Sequence, residues 1–114
     1  MIIGDLTTQS LAAALRGLEA QQQAHQQNIA NVETPGYLAR RVSFEDSLRN
    51  AIDSGRPTAA GISEANTTDA TRIDGNNVRL DKELTAMTEN ALKQQLVTEA
   101  LNAQYRLIRA AVSR

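Results

Sequence analysis

Apolar residues recur at alternating spacings of four and three, over several turns, only at the two ends of this 114-residue chain. Near the N-terminus the series runs Leu11, Leu15, Leu18, Gln22, His25, Ile29 and Val32. Near the C-terminus it runs Leu84, Met87, Ala91, Gln94, Thr98, Leu101, Tyr105, Ile108 and Val112. Each series is a heptad seam, the pattern by which one helix buries a narrow face against another. Two seams in one chain predict an antiparallel, coiled-coil-like helix pair. A second apolar stripe, Leu92, Leu96, Ala100, Ala103 and Leu107, lies on another side of the C-terminal helix. A helix that is apolar on two sides has more than one partner, and this chain has only one other long helix to offer. The remaining partner is expected to be a neighbouring subunit.

The boundaries follow from local chemistry. Asp5 is placed to cap the first helix. Pro35 cannot continue it and pushes Thr34 toward an extended backbone, so the helix should end near residues 31–33. Thr34-Pro35-Gly36-Tyr37 fits a type II turn, with Gly36 at the position of positive φ. A short helix is predicted next, capped by Ser43 with Asp46 three residues on, and with Phe44, Leu48, Ala51 and Ile52 on one face. Residues 57–78 are rich in Thr, Ala, Asn, Asp and Gly without a sustained period and read as a loop. The last helix is expected from about Asp81 to Val112. The predicted fold is therefore all-α and forms one structural domain. An N-terminal helix (1–34) and a C-terminal helix (79–114) flank a turn, short helix and polar loop (35–78), and packing against neighbouring subunits completes the fold.

Composition narrows the function. Of the apolar positions, 18 are alanine, and only Tyr37, Phe44 and Tyr105 are aromatic, so a single-chain core would be thin. The absence of cysteine excludes disulfide frameworks, thiol nucleophiles and zinc–thiolate sites, and a single histidine excludes a two-histidine metal site. A net charge of −1 argues against a dedicated nucleic-acid binder. No apolar run approaches the roughly 20 residues that span a bilayer, and the first residues lack the pattern of a cleaved signal peptide.

Catalytic chemistry is not indicated. Glu45 and Asp46 are adjacent and point different ways on a helix. The glycines are scattered at turns and build no phosphate loop. Asp74-Gly75-Asn76-Asn77 is a turn without calcium-ligand spacing. His25 stands at a seam position among glutamines and reads as an interface or surface histidine. No catalytic, cofactor or metal residue is assigned. The expectation is an assembly protein.

One segment is distinctive. Asn28-Ile29-Ala30-Asn31-Val32-Glu33-Thr34-Pro35-Gly36-Tyr37 resembles the signature that ends the N-terminal helix of the bacterial flagellar rod and hook axial proteins. Gly75-Asn76-Asn77-Val78-x-Leu80-Asp81-x-Glu83 is similar to the start of the C-terminal helix in a proximal rod subunit of that family, and Ala39-Arg40-x-Val42-x-Phe44-Glu45 agrees. Leu38 stands where a lysine is common. The resemblance implies a non-enzymatic structural subunit of the proximal rod, polymerising through its terminal helices and joining the membrane ring to the drive shaft. It implies a periplasmic place in the basal body, reached by the flagellar type III export apparatus without a cleaved signal peptide. The implied partners are copies of the chain, other rod proteins, the adaptor FliE and the membrane-ring protein. The motif residues are Asn28, Ala30, Asn31, Thr34, Pro35, Gly36 and Tyr37. Phe44 and Leu48 resemble the short motif read during export. The interface residues are Leu11, Leu15, Leu18, Ile29, Leu84, Met87, Leu101, Tyr105 and Ile108. The alternatives are another axial subunit of the rod, or a soluble coiled-coil adaptor or secretion chaperone.

Overall fold

The computed structural model describes residues 5–113. Helix α1 spans Leu6–Ala30 and helix α3 spans Leu80–Val112. Between them lie strand β1 (Arg40–Ser43), helix α2 (Glu45–Asp53), a 3-10 turn (Pro57–Ala59) and strand β2 (Ser63–Asn66). The structure is mostly helical, as the two seams require. Asp5 caps α1 as expected, its carboxylate accepting from the Thr8 amide at 2.9 Å. The helix ends at Ala30, and the Tyr37 amide donates to the Thr34 carbonyl at 3.2 Å to close the turn. Gly36 there has φ +75°, the value the turn demands of its third residue.

The middle of the chain differs from the all-helical expectation. β1 and β2 pair antiparallel, with Arg41 opposite Ala65 and Ser43 opposite Ser63. Residues 57–78 are thus more than a loop. The strands escape a hydrophobic reading because only Val42 of the eight strand residues is buried. Ser43 does not cap α2. It belongs to β1, and Phe44 holds the cap position without a side-chain hydrogen bond. Glu45 takes over part of that role, its Oε1 accepting from the Phe44 amide at 3.0 Å.

After the turn the chain runs back along α1. Asn28 of α1 reaches Arg40, Gln21 reaches the Val42 carbonyl, and the Phe44 ring sits over Gly17. α1 is therefore covered on one side by α3 and on another by β1, α2 and the 3-10 turn. α1 and α3 are in contact: His25 meets Glu83, and Gln21 meets Asn90. The molecule is elongated, with principal extents of 65 × 26 × 14 Å. Among the described residues, the buried apolar side chains are Ala13, Leu18, Ala24, Ala39, Val42, Phe44, Ala51, Val78 and Leu101. Alanine is the commonest of them, so the core is as thin as the composition implied.

Candidate assembly surfaces and the joint between the signature segments

The last turn of a helix leaves carbonyls without intrahelical partners. At α1 the Asn31 and Val32 amides meet those of residues 27–29, and the carbonyls of Asn31 and Thr34 in the following turn accept from the Thr34 and Tyr37 amides; a segment some forty residues away adds donors to that turn. Asn76 Nδ2 lies 2.9 Å from the Asn31 carbonyl, 2.9 Å from that of Thr34 and 3.2 Å from that of Val32. Arg72 donates to the Val32 carbonyl at 2.6 Å and to the Val78 carbonyl at 3.1 Å. Asn76 Oδ1 accepts from the Val78 amide at 2.7 Å, which turns the chain toward α3. The side chain of Asn76 is fully buried. Gly36 donates its amide to the Asp74 carbonyl at 2.8 Å. A Cβ on Gly75 (φ +84°) would lie 3.2 Å from the Gly36 Cα, so the two turns stack with little room for a side chain at Gly75. Asn77 completes the joint by accepting from the Ala39 amide at 2.6 Å and donating to Thr67 Oγ1 at 2.9 Å.

Asn28, also fully buried, joins all three long segments. Its Nδ2 donates to the Arg40 carbonyl at 3.0 Å and to Glu83 Oε1 at 3.1 Å, and its Oδ1 accepts from the Arg40 amide at 2.9 Å and from the Tyr37 hydroxyl at 3.3 Å. His25 Nδ1 meets the other oxygen of Glu83 at 2.6 Å. Asn31 bonds locally, donating to the Gln27 carbonyl at 2.8 Å and accepting from Thr34 Oγ1 at 3.1 Å. The signature residues Asn28, Asn31, Thr34, Gly36 and Tyr37 thus serve one joint. Ala30 and Pro35 are exposed at its surface.

The seam of α3 has a phase that differs in half its positions from the expected one. Met87, Gln94, Leu101 and Ile108 do face inward. The intervening covered positions are Glu83, Asn90, Val97 and Gln104, rather than Leu84, Ala91, Thr98 and Tyr105. Leu84 is 51 % exposed and Tyr105 44 % exposed, one residue off the covered seam. The physical reason is that polar residues with specific partners take the seam: Glu83 binds His25 and Asn28, and Asn90 binds Gln94 and Gln21. On α1, Leu18 is buried and Leu11, Leu15 and Ile29 are partly covered. On the opposite side of α3, Leu92, Leu96 and Leu107 remain between 63 and 70 % exposed. Leu96 lies about one turn beyond Leu92, and Leu107 about three turns beyond Leu96, along one face.

Phe44 is buried on Gly17, and Leu48, one turn further on, is half-buried. Burial by itself pushes the Glu45 carboxyl up. The Phe44 and Glu45 amides, the Gln21 carboxamide and Lys93 more than offset this and hold it below its ordinary value of 4.5. Gln21, His25, Arg40, Glu83, Asn90 and Lys93 line a cleft of about 430 Å³ between α1, β1 and α3. His25, Arg40 and Glu83 there already make structural contacts, and no nucleophile–base pair converges among the lining residues. Among the described residues, no three His, Cys, Asp or Glu side chains cluster to hold a metal, and no helix is long and apolar enough to cross a membrane. Arg72, Asn76, Asn77 and Gly17 were not singled out as site residues in the sequence. The Gly75–Glu83 signature marked the neighbourhood of the two asparagines without revealing what they bind.

No family model matches the chain. Curated relatives do. A flagellar basal body rod protein FlgB from Bacillus subtilis is 29 % identical over 120 residues, covering 94 % of this chain and 93 % of its own. The FlgB of Salmonella typhimurium is 32 % identical over 98 residues, covering 68 % of this chain and 71 % of its own. That of Yersinia enterocolitica is 30 % identical over 122 residues, 89 % of this chain and 88 % of its own. With 30 % identity over 89 % of this chain and 32 % over 68 %, the chain belongs to the flagellar basal body rod protein FlgB family.

Proposed function

We propose that this chain is a structural subunit of the proximal rod of the bacterial flagellar basal body. It acts by packing and not by catalysis. α1 and α3 form an antiparallel, coiled-coil-like pair that, with the joint at residues 28–44 and 67–83, makes one structural domain. Neighbouring subunits complete it. The exposed leucine face of α3 is the observation that carries this reading, because no described residue covers it and water opposes its exposure. The total accessible surface agrees: 7574 Å² for a 12.4 kDa chain, against roughly 6,100 Å² for a compact monomer of that mass. Leu84 and Tyr105, beside the internal seam, face neighbours in the same way, while Leu11, Leu15, Leu18, Ile29, Met87, Leu101 and Ile108 serve the internal pair. The partners are copies of the chain, other rod proteins, the adaptor FliE and the membrane-ring protein, and the site of assembly is the periplasm. The flagellar type III export apparatus delivers the chain. Phe44 is buried in the fold, so an export signal at Phe44 and Leu48 is readable only in the unfolded chain.

Leu96→Asp tests the proposal. At a position 70 % exposed, the charge costs the isolated chain little. Buried between subunits, an unpaired carboxylate costs several kcal/mol at each contact. Cells carrying Leu96→Asp should export the chain but lack complete rods and fail to swim, whereas Asn102→Asp, on a polar part of the helix, should be tolerated. Normal rods with Leu96→Asp would refute packing through this face.

A further inference from the structure

The cleft between α1, β1 and α3 is basic in a chain that is acidic overall. Five of the chain's 12 Lys and Arg residues line it, against four of its 13 acids, which leaves seven basic and nine acidic residues elsewhere. Among the described residues the ion pairs are His25 with Glu83, Arg49 with Asp46 and Arg72 with Asp74, so Arg41, Arg79, Lys82 and Lys93 of the cleft have none. Two of the four carboxylates are occupied from within: Glu83 meets His25 and Asn28, and Glu45 accepts from Gln21 and from the Phe44 amide. Lys93 acts on Glu45 through space without forming an ion pair with it. Nor does the local fold call for these charges. Arg79 is the N-cap residue of α3 and Lys82 lies in its first turn, where the helix dipole disfavours positive charge.

We propose that this cleft is a docking site for carboxylates of a second copy of the chain. Charge complementarity selects that occupant. Glu19, Glu33, Asp53, Glu64 and Glu99 are exposed and form no ion pair among the described residues, so each copy carries both the basic cleft and an acidic surface that fits it. A contact between two different patches of one chain is heterologous. Repeated from copy to copy, it builds a ring or an open helical array, and a rod is the second of these. Surface ion pairs add little affinity singly and more as a network, and their main effect is on orientation and register. The cleft therefore sets how one copy is turned against the next, while the leucine face supplies apolar area. The inference rests on the rod reading and deepens it by naming one contact between copies.

Carbodiimide cross-linking of isolated basal bodies tests it, because the reagent joins a lysine amine to a carboxylate only when the two touch. The expected product is a covalent dimer of this chain, its link running from Lys82 or Lys93 to one of those exposed carboxylates. Lys82→Arg combined with Lys93→Arg keeps the charges but removes the reactive amines, and should cut the dimer yield about tenfold. Arg79→Glu combined with Lys82→Glu reverses the sign of the cleft at two points and should give about tenfold fewer complete rods per cell. Both of these changes suit the helix dipole, so a loss of rods reports the contact and not a damaged α3. Arg56→Glu, outside the cleft, should leave rod number unchanged. Cleft lysines linked only within their own chain or to a different rod protein, or normal rods in Arg79→Glu, Lys82→Glu cells, would overturn the proposal. A basal body that lacks the chain would overturn the rod reading as well; one that contains it without these dimers overturns this inference alone.

Discussion

Gly17 lies in the middle of α1, where replacing glycine with alanine ordinarily stabilises a helix by about 1 kcal/mol. Here the sign should reverse. A Cβ at position 17 would fall within 3.0 Å of Cγ, Cδ1 and Cδ2 of Phe44, a ring that is only 6 % exposed. The helix backbone cannot give way at one residue, so the ring must retreat until ordinary contact is restored, loosening β1 and the start of α2. Overpacking of this kind costs about 1–3 kcal/mol. Against the helix-propensity gain, Gly17→Ala should be net destabilising by about 1–2 kcal/mol. Urea unfolding followed by circular dichroism reads this as a lowered midpoint at unchanged slope. The decisive comparison is with Phe44→Ala, measured in a stabilising osmolyte because loss of the ring alone costs about 3–5 kcal/mol. In that background Gly17→Ala should become stabilising by about 1 kcal/mol. A Gly17→Ala chain more stable than wild type, or one whose effect is the same with and without the ring, would refute the packing argument.

Other consequences follow from the joint and its flanks. Asn28→Asp removes two donated hydrogen bonds and sets a carboxylate against Glu83 in a buried site; it should cost about 3–5 kcal/mol in the same unfolding assay. At Gly36 a side chain meets nothing within 4 Å, so the penalty is backbone strain alone: Gly36→Val should lose about 1–2 kcal/mol and reduce swimming, while Gly36→Asn should lose less. Leu101→Asp places a charge in the internal seam and, unlike Leu96→Asp, should lower the helicity of the isolated chain. Because the Glu45 carboxyl is held below 4.5, its contribution is present above that value and is lost as the pH falls through its folded-state pKa. Exchange at the start of α2 should therefore accelerate below about pH 4.5, and Glu45→Gln should remove that part of the acid response.

The long elements and the turn between them were legible because their signals are local. Asp5 before an apolar series, Pro35 after it, and Gly36 in the third turn position each act through their immediate neighbours. The strand pair was not legible. Arg40-Arg41-Val42-Ser43 and Ser63-Glu64-Ala65-Asn66 show no apolar alternation, and what fixes β1 is Asn28 and Gln21 of α1 bonding to its backbone, a contact visible only in three dimensions. The phase of the α3 seam was half legible for a related reason. A hydrophobic pattern picks Leu84 and Tyr105, but the covered positions include Glu83 and Asn90, whose place in the seam depends on polar partners. Asn28 and Asn76 could each be recognised as part of a signature. That they serve the same few ångströms of structure could not, because forty residues separate Arg72 and Asn76 from the carbonyls they meet.

The most direct test of the account is cryo-microscopy of isolated basal bodies at side-chain resolution, with this chain traced. The account places the chain in the proximal rod, with Val97 and Leu101 against its own α1 and with Leu92, Leu96 and Leu107 buried against a neighbouring subunit. A chain absent from the rod, or one whose α3 leucine face looks onto solvent in the assembled structure, would contradict it.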